Sequence, residues 1–173
     1  MDATPKIRTL AEHEWALYKN LRLAALAESP EAFGSTFTKE VQLTDAEWAI
    51  RLASPSNSAS NFPVVAELDD QPIGLAWGRI EAAQPALANL YQVWVHPDYR
   101  RLGAGQQLVE AVIAWALSQQ AQALELGVTC GDTPAMRLYL RAGFEPVGQP
   151  EPIRPGADRL GQTMRLDLGR KAA

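Results

Sequence analysis

The chain has 173 residues, 47% of them hydrophobic, and its 16 Lys+Arg against 20 Asp+Glu leave a formal net charge of −4. That length favours one domain, and the composition excludes disorder, which needs low hydrophobicity and high net charge. The longest apolar run, Ala111 to Leu117, is far short of the roughly 20 residues of a membrane span, and an acidic chain gives no footprint for a nucleic-acid partner. Cys130 is the single cysteine, so it forms no internal disulfide and supplies no cysteine-rich metal site. The opening MDATPKIRTL lacks the apolar core of a signal peptide. The expectation is a cytoplasmic protein with no membrane, nucleic-acid or metal partner. No repeat or linker divides it, so residues 1–168 read as one domain and 169–173 as a frayed tail.

A short strand is predicted over Lys6–Thr9. Thr9-Leu10-Ala11-Glu12 then reads as a capping box, opening a helix to about Ala27 with Leu17, Leu21 and Ala24/Ala25 on one face; Ser29-Pro30 stops it. A second capping box, Thr44 to Glu47, starts a shorter helix with Trp48, Ile50 and Leu52, ended by Ser54-Pro55. The period then changes. Phe62–Leu68 and Ile73–Ile80 are strands joined by the turn residues Asp69-Asp70-Gln71-Pro72, as in an antiparallel hairpin. A third strand runs from Ala88 to Val95 and ends at His96-Pro97. Leu108, Val109, Val112, Ile113, Ala116 and Leu117 recur with helical spacing, with Gln106, Glu110, Gln119 and Gln120 opposite. Leu124–Thr129 is a strand, Thr133–Arg141 a helix, and Phe144–Val147 and Gln162–Leu168 closing strands. A meander followed by β-α-β-α predicts an α+β class with a mixed sheet rather than a doubly wound one.

Chemistry concentrates where the third strand ends. Val93-Trp94-Val95-His96-Pro97 leads into Arg100-Arg101-Leu102-Gly103-Ala104-Gly105-Gln106, which opens the long amphipathic helix. Amides of a first helical turn have no intrahelical partner, and the helix dipole places about half a positive charge there. Glycines let an anion reach those amides, and Arg100 and Arg101 add fixed charge. The segment is built like a pyrophosphate cradle, although a lone GxG also starts a helix tightly without binding anything. No GxxxxGK[ST] is present, which excludes a Walker loop. A dinucleotide fingerprint fails at Leu108, where a third glycine is needed; Glu125 lies near the position of a ribose-binding acid, but inside the strand pattern rather than at its end.

A second segment comes at a fixed separation: Asp132-Thr133-Pro134-Ala135-Met136-Arg137-Leu138-Tyr139-Leu140-Arg141-Ala142-Gly143-Phe144. With VWVHPDYRRLGAG it resembles the GNAT superfamily of acyl-CoA-dependent N-acetyltransferases, closely over about Leu90–Gly148. The resemblance implies a GNAT-like mixed, mostly antiparallel central sheet flanked by helices. It implies acetyl-CoA as co-substrate, with no metal, and a small-molecule or peptide amine as acceptor. By the same analogy alone, the chain pairs as a homodimer. Carried over by position, Val93, Trp94 and Val95 lie beside the pantetheine and acyl group. Arg101, Leu102, Gly103, Ala104, Gly105 and Gln106 take the phosphates, with Arg100 as cofactor-binding charge beside them. Tyr139 becomes the general acid for the leaving thiolate. Asp132 stands where the family commonly has an Asn that contacts the cofactor, and is carried over as a cofactor-binding position on that ground; an ionised carboxylate cannot donate a hydrogen bond there, whereas it caps a helix well. The places where some members keep a basic carboxylate hold Gln92 and Gly127, leaving Glu81, Glu125 or a water chain. The two opening helices, including Arg22, Glu28, Phe33, Ser35, Thr36, Phe37 and Glu40, would wall the acceptor site. A non-catalytic CoA-binding module and a dinucleotide-binding protein are the alternatives.

Overall fold

A computed structural model describes residues 4–53 and 60–169. The elements run β1 (Lys6–Thr9), α1 (Trp15–Glu28), α2 (Phe37–Glu40), α3 (Asp45–Ala53), β2 (Asn61–Leu68), β3 (Gln71–Ile80), β4 (Leu87–Val95), α4 (Ala104–Ser118), β5 (Ala123–Thr129), α5 (Pro134–Arg141), β6 (Glu145–Pro152) and β7 (Leu160–Asp167). The seven strands form one sheet in the order β1-β2-β3-β4-β5-β7-β6. Only β4 and β5 pair in parallel; every other neighbour is antiparallel. The α+β expectation and the meander hold. The edge strand β6 carries Pro146, Pro150 and Pro152, which an edge tolerates because it needs no full ladder of donors.

Local chemistry explains most boundaries. The hairpin turn is Asp69-Asp70, both at positive φ, the conformation a two-residue hairpin demands and Asp tolerates. Thr44 caps α3, accepting from the Glu47 amide at 3.2 Å, as predicted; the predicted stop at Ser54-Pro55 lies outside the described residues. The Thr9–Glu12 capping box does not form. Thr9 is the last residue of β1, paired with Val64, so a single 3-10 turn (Glu12–Glu14) intervenes and α1 starts at Trp15. The Glu14 carboxylate, in that same turn, pairs with Arg8 at 2.9 Å. The four-residue α2, capped by Thr36, was not predicted, since so short a helix has no periodicity to detect.

The sheet divides two cores. Against one face pack α4 and α5, with Leu108, Val112, Leu124, Phe144 and Met164 among the buried residues. Against the other pack α1 and α3, with Tyr18, Leu26, Trp48, Leu75, Trp77 and Trp94. The second core contains a buried ion cluster. Arg22 holds both oxygens of Glu40, at 3.1 and 2.9 Å, and Arg51 reaches the same carboxylate at 2.8 Å. The two guanidiniums lie over the rings of Phe33 and Trp48, a favourable cation–π arrangement. One cluster thus ties α1, α2 and α3 together.

Two features of β4 determine where the sheet opens. Between the pairs Trp77–Tyr91 and Leu75–Trp94, the single β3 residue Ala76 faces two β4 residues, Gln92 and Val93. Gln92 has φ +61°, and its side-chain oxygen accepts a 2.8 Å hydrogen bond from the buried Tyr18 hydroxyl. This is a β-bulge, which bends the strand and increases its twist. Pairing of β4 with β5 covers only Leu87–Ala123, Ala88–Leu124 and Asn89–Glu125. Beyond Asn89 the strands part, while β5 continues alongside β7 as far as Thr129.

Burial pushes the Glu40 carboxyl up, but hydrogen bonds and charge from Arg22, with bonds from Ser35 and Arg51, leave it below the ordinary value. Its stabilising contribution is therefore present above the unfolded carboxyl pKa and lost as pH falls through the folded one. Glu40→Gln should cost about 3–5 kcal/mol in urea unfolding, because Arg22 is left buried without its counter-charge. The variant should also lose part of the acid sensitivity; a loss under about 1 kcal/mol would contradict this role.

Candidate active site

Where β4 and β5 part, a cavity of about 900 Å³ opens. Its lining comes from both sides of the sheet: Glu28 and Phe33 from the α1 side, Ala104, Gly105 and Tyr139 from α4 and α5. The cavity therefore runs through the sheet. Gly127 lies on β5 in this lining, and a Cβ built there meets nothing within 4 Å. The missing side chain keeps the passage open.

One end of the cavity is the β4–α4 connection. His96 follows β4 and its Nδ1 accepts from the Asp98 amide at 3.1 Å, so it shapes the turn. Arg101 and Gly103 both take positive φ, +69° and +87°, which costs a glycine little. Gly103 stands at the N-cap of α4 with no side-chain cap. The first-turn amides are thus left without an intrahelical or side-chain acceptor, and Arg101, Gly103, Ala104, Gly105 and Gln106 line the cavity beside them. Leu102, 39% exposed, belongs to the same turn without lining the cavity.

The Arg100 guanidinium is committed. Its Nε donates to the Val95 carbonyl at 2.9 Å and its Nη2 to Glu28 Oε1 at 2.7 Å. Val93, Trp94 and Val95 all line the cavity, and the Trp94 indole N–H also donates to Glu28 Oε1, at 2.9 Å. The Ser29 hydroxyl is a third donor to that oxygen. Burial pushes the Glu28 carboxyl up, but the bonds from Ser29, Trp94 and Arg100, with the Arg100 charge, outweigh it and hold the group below the usual carboxylate range.

Tyr139 is 6% exposed, sits edge-on to Phe144, and lines the cavity on the α5 side. Burial pushes its phenol well above the ordinary value of 10, so the hydroxyl keeps its proton throughout the neutral range. Asp132 is placed elsewhere: it is 84% exposed, pairs with Arg137 at 2.7 Å and does not line the cavity. Nor does it cap α5. Thr133 does, accepting from the Met136 amide at 3.1 Å. With Pro134 at the first helical position, the hydroxyl one residue earlier is the oxygen placed to reach that amide.

Neither carboxylate considered as a base enters the cavity. Glu81 pairs with Arg79 at 2.8 Å, and Glu125 is held by Arg165. Glu28 and Glu31 are the acids the structure brings there, and Glu28 is the one held against the strand edge. Its sequence signal was local: a carboxylate in the last turn of a helix, just before Ser29-Pro30, opposes the helix dipole. The roof over the same end had no such signal. Thr129 Oγ1 donates to the Glu31 carbonyl at 2.6 Å, Arg154 to the Phe33 carbonyl at 2.9 Å, and Arg159 approaches the Glu31 carboxylate at 3.5 Å. These contacts join residues about a hundred or more positions apart. Among the described residues no group of three His, Cys, Asp or Glu could hold a metal ion, and no helix is long and apolar enough to cross a membrane.

The cap assignment is open to measurement. Thr133→Ala should lose about 1 kcal/mol of stability, and Asp132→Asn less than about 0.5 kcal/mol; the reverse order would return the cap to Asp132.

Comparison with known proteins agrees with this geometry. The chain is 30% identical over 125 residues to the mycothiol acetyltransferase of Sanguibacter keddieii, a match covering 70% of this chain and 39% of that protein. It thus spans about two fifths of the length of the curated relatives it matches first. The yncA structure of Salmonella typhimurium, solved with its cofactor acetyl-CoA, superposes with a TM-score of 0.78 at 18% identity over 98% of this chain and 97% of that one. The ribosomal-protein-alanine N-acetyltransferase of Brucella melitensis does so with a TM-score of 0.75 at 20% identity over 94% and 99%. These identities speak for the fold. The model of the acetyltransferase (GNAT) family matches residues 21–144, more than two thirds of the chain and the whole stretch from α4 to α5, and the chain belongs to that family.

Proposed function

We propose that this protein is an N-acetyltransferase that moves an acetyl group from acetyl-CoA to a primary amine of a small molecule or peptide by direct attack. The observation that carries this reading is the parted β4–β5 edge leading straight to the uncapped N-terminus of α4. Size and chemistry fit the co-substrate. A cavity of about 900 Å³ is of the size of sites for large ligands. The first-turn amides suit phosphates, and the strand edge at Val93, Trp94 and Val95 suits an amide-bearing arm, much as a strand adds to a sheet.

Bound there, acetyl-CoA supplies an acetyl group activated as a thioester. The chain's residues divide the remaining work. The amides of Gly103 to Gln106, with the Leu102 and Arg101 turn, hold and neutralise the anionic end. Arg100, spanning Val95 and Glu28, sets the strand edge relative to the end of α1. Tyr139 keeps its proton available and donates it towards the departing sulfur. A phenol raised above 10 is a weaker acid than a thiol near 8.5, so donation lowers the barrier without driving the step. Asp132, outside the cavity, is given no cofactor role.

Titration calorimetry with acetyl-CoA, CoA and NAD should show binding of the first two and none of the third; preferential NAD binding would overturn the proposal. Thiol release across a panel of amines, amino acids, polyamines and peptides then separates a transferase from a CoA-binding module, which would bind without turnover. Tyr139→Phe should lower kcat about 10- to 100-fold with little change in acetyl-CoA affinity. An unchanged kcat at every pH would remove Tyr139 from the chemistry.

A further inference from the structure

The amine acceptor has so far no residue to recognise it. We propose that Glu28 is the specificity-determining residue for the acceptor, receiving its ammonium group on Oε2; this rests on the amine-transfer reading above. Three observations carry it.

The first is position. Glu28 lines the cavity from the α1 side of the sheet, across from Tyr139 on the α5 side. A co-substrate lying against the α4 N-terminus leaves the α1 end for a second molecule. The second is an asymmetry within the carboxylate. All three donors, Ser29, Trp94 and Arg100, address Oε1. Among the described residues Oε2 has no hydrogen-bond donor, although its side chain is 35% exposed and lines the cavity. A carboxylate offers about four lone-pair sites, so an ammonium can add to Oε2 without displacing any protein contact. The third is preorganisation. Trp94 is 5% exposed, and with Arg100 it fixes the carboxylate's orientation before anything binds, so little is spent on ordering it.

The alternatives in this part of the cavity are weaker. Glu31 is 62% exposed and faces Arg159. Glu40 does not line the cavity and lies among Arg22 and Arg51 with both oxygens used. Glu28 also explains its own placement at a helix C-terminus, where a negative charge is locally unfavourable. Charge-pairing to the ammonium is a binding role; proton loss from the amine goes on to solvent, since a carboxylate held low is a poor base near neutral pH.

The test compares steady-state thiol release by the wild type, Glu28→Gln and Glu28→Asp, with primary amines and their alcohol isosteres as acceptors. Glu28→Gln should raise the amine KM about 10- to 100-fold, the scale of one charged hydrogen bond, with kcat within about threefold and the acetyl-CoA KM unchanged. Glu28→Asp should restore part of the loss, because it keeps the charge on a shorter arm. Alcohols should be poor acceptors for all three proteins. An active wild type whose amine KM is indifferent to Glu28→Gln overturns this inference alone. A wild type that binds acetyl-CoA but releases thiol with no amine overturns the transferase reading and this inference with it.

Discussion

The hydrogen bond from the buried Tyr18 hydroxyl to Gln92 sits where the central sheet stops being continuous. Gln92 is held at positive φ, in a conformation that costs a non-glycine residue on the order of 1 kcal/mol or more. What holds it is the second core: Tyr18 is wedged edge-on between Trp48 and Trp77, fully buried, and the phenol's one polar atom must find an acceptor. The resulting bulge bends β4 just beyond Asn89, where its pairing with β5 ends. A through-sheet cavity results from that departure, and so does the strand edge that lines it. The α1–α3 layer, on the opposite face of the sheet from α4, thus bears on the geometry at the strand edge.

The parting also settles how charge is used. The chain is acidic overall, yet the β4–α4 turn places two arginines beside uncapped helix amides. Arg101 lines the cavity without a carboxylate partner among the described residues. Arg100 is spent internally, bridging Val95 and Glu28. The two therefore do different work despite being adjacent. One adds to the field felt by an anion; the other couples the strand edge to the end of α1. Arg100 takes only one oxygen of Glu28 and so orients that carboxylate while leaving Oε2 without a protein donor among the described residues. The cavity is left positive at its α4 end, and under the reading proposed above Glu28 takes a cation at its α1 end. Electrostatic complementarity of this kind selects and orients ligands more than it adds raw affinity.

Much of this was legible in the residues. The meander and the α4 stripe came from periodicity, and the β4 end, the Pro turn and Gly103 from local chemistry. The two motifs at their fixed separation carried the family. What was illegible depended on distant neighbours. Thr9 looked like a cap until β2 claimed it for a ladder. Asp132 looked like the cap of α5, but Thr133 stands nearer the amide to be satisfied. Arg100 read as a cofactor-binding charge because nothing local shows that Glu28, 72 positions earlier, would occupy it. The bulge at Gln92 is invisible in YQVWVHPD, since the constraint that makes it comes from Tyr18. Even so, Gln92 and Gly127 had drawn attention as places without a carboxylate. Their roles are the reverse of a missing base: one bends the strand, the other leaves the gap open.

The parted edge is tested most directly by hydrogen–deuterium exchange of the whole chain with and without saturating acetyl-CoA. Slowing should concentrate in the segments holding Val93–Val95 and Gly103–Gln106, the two borders of the cavity, with NAD producing none. Saturating acetyl-CoA that leaves both segments unchanged, or that protects only the far edge strand β6, would contradict the account.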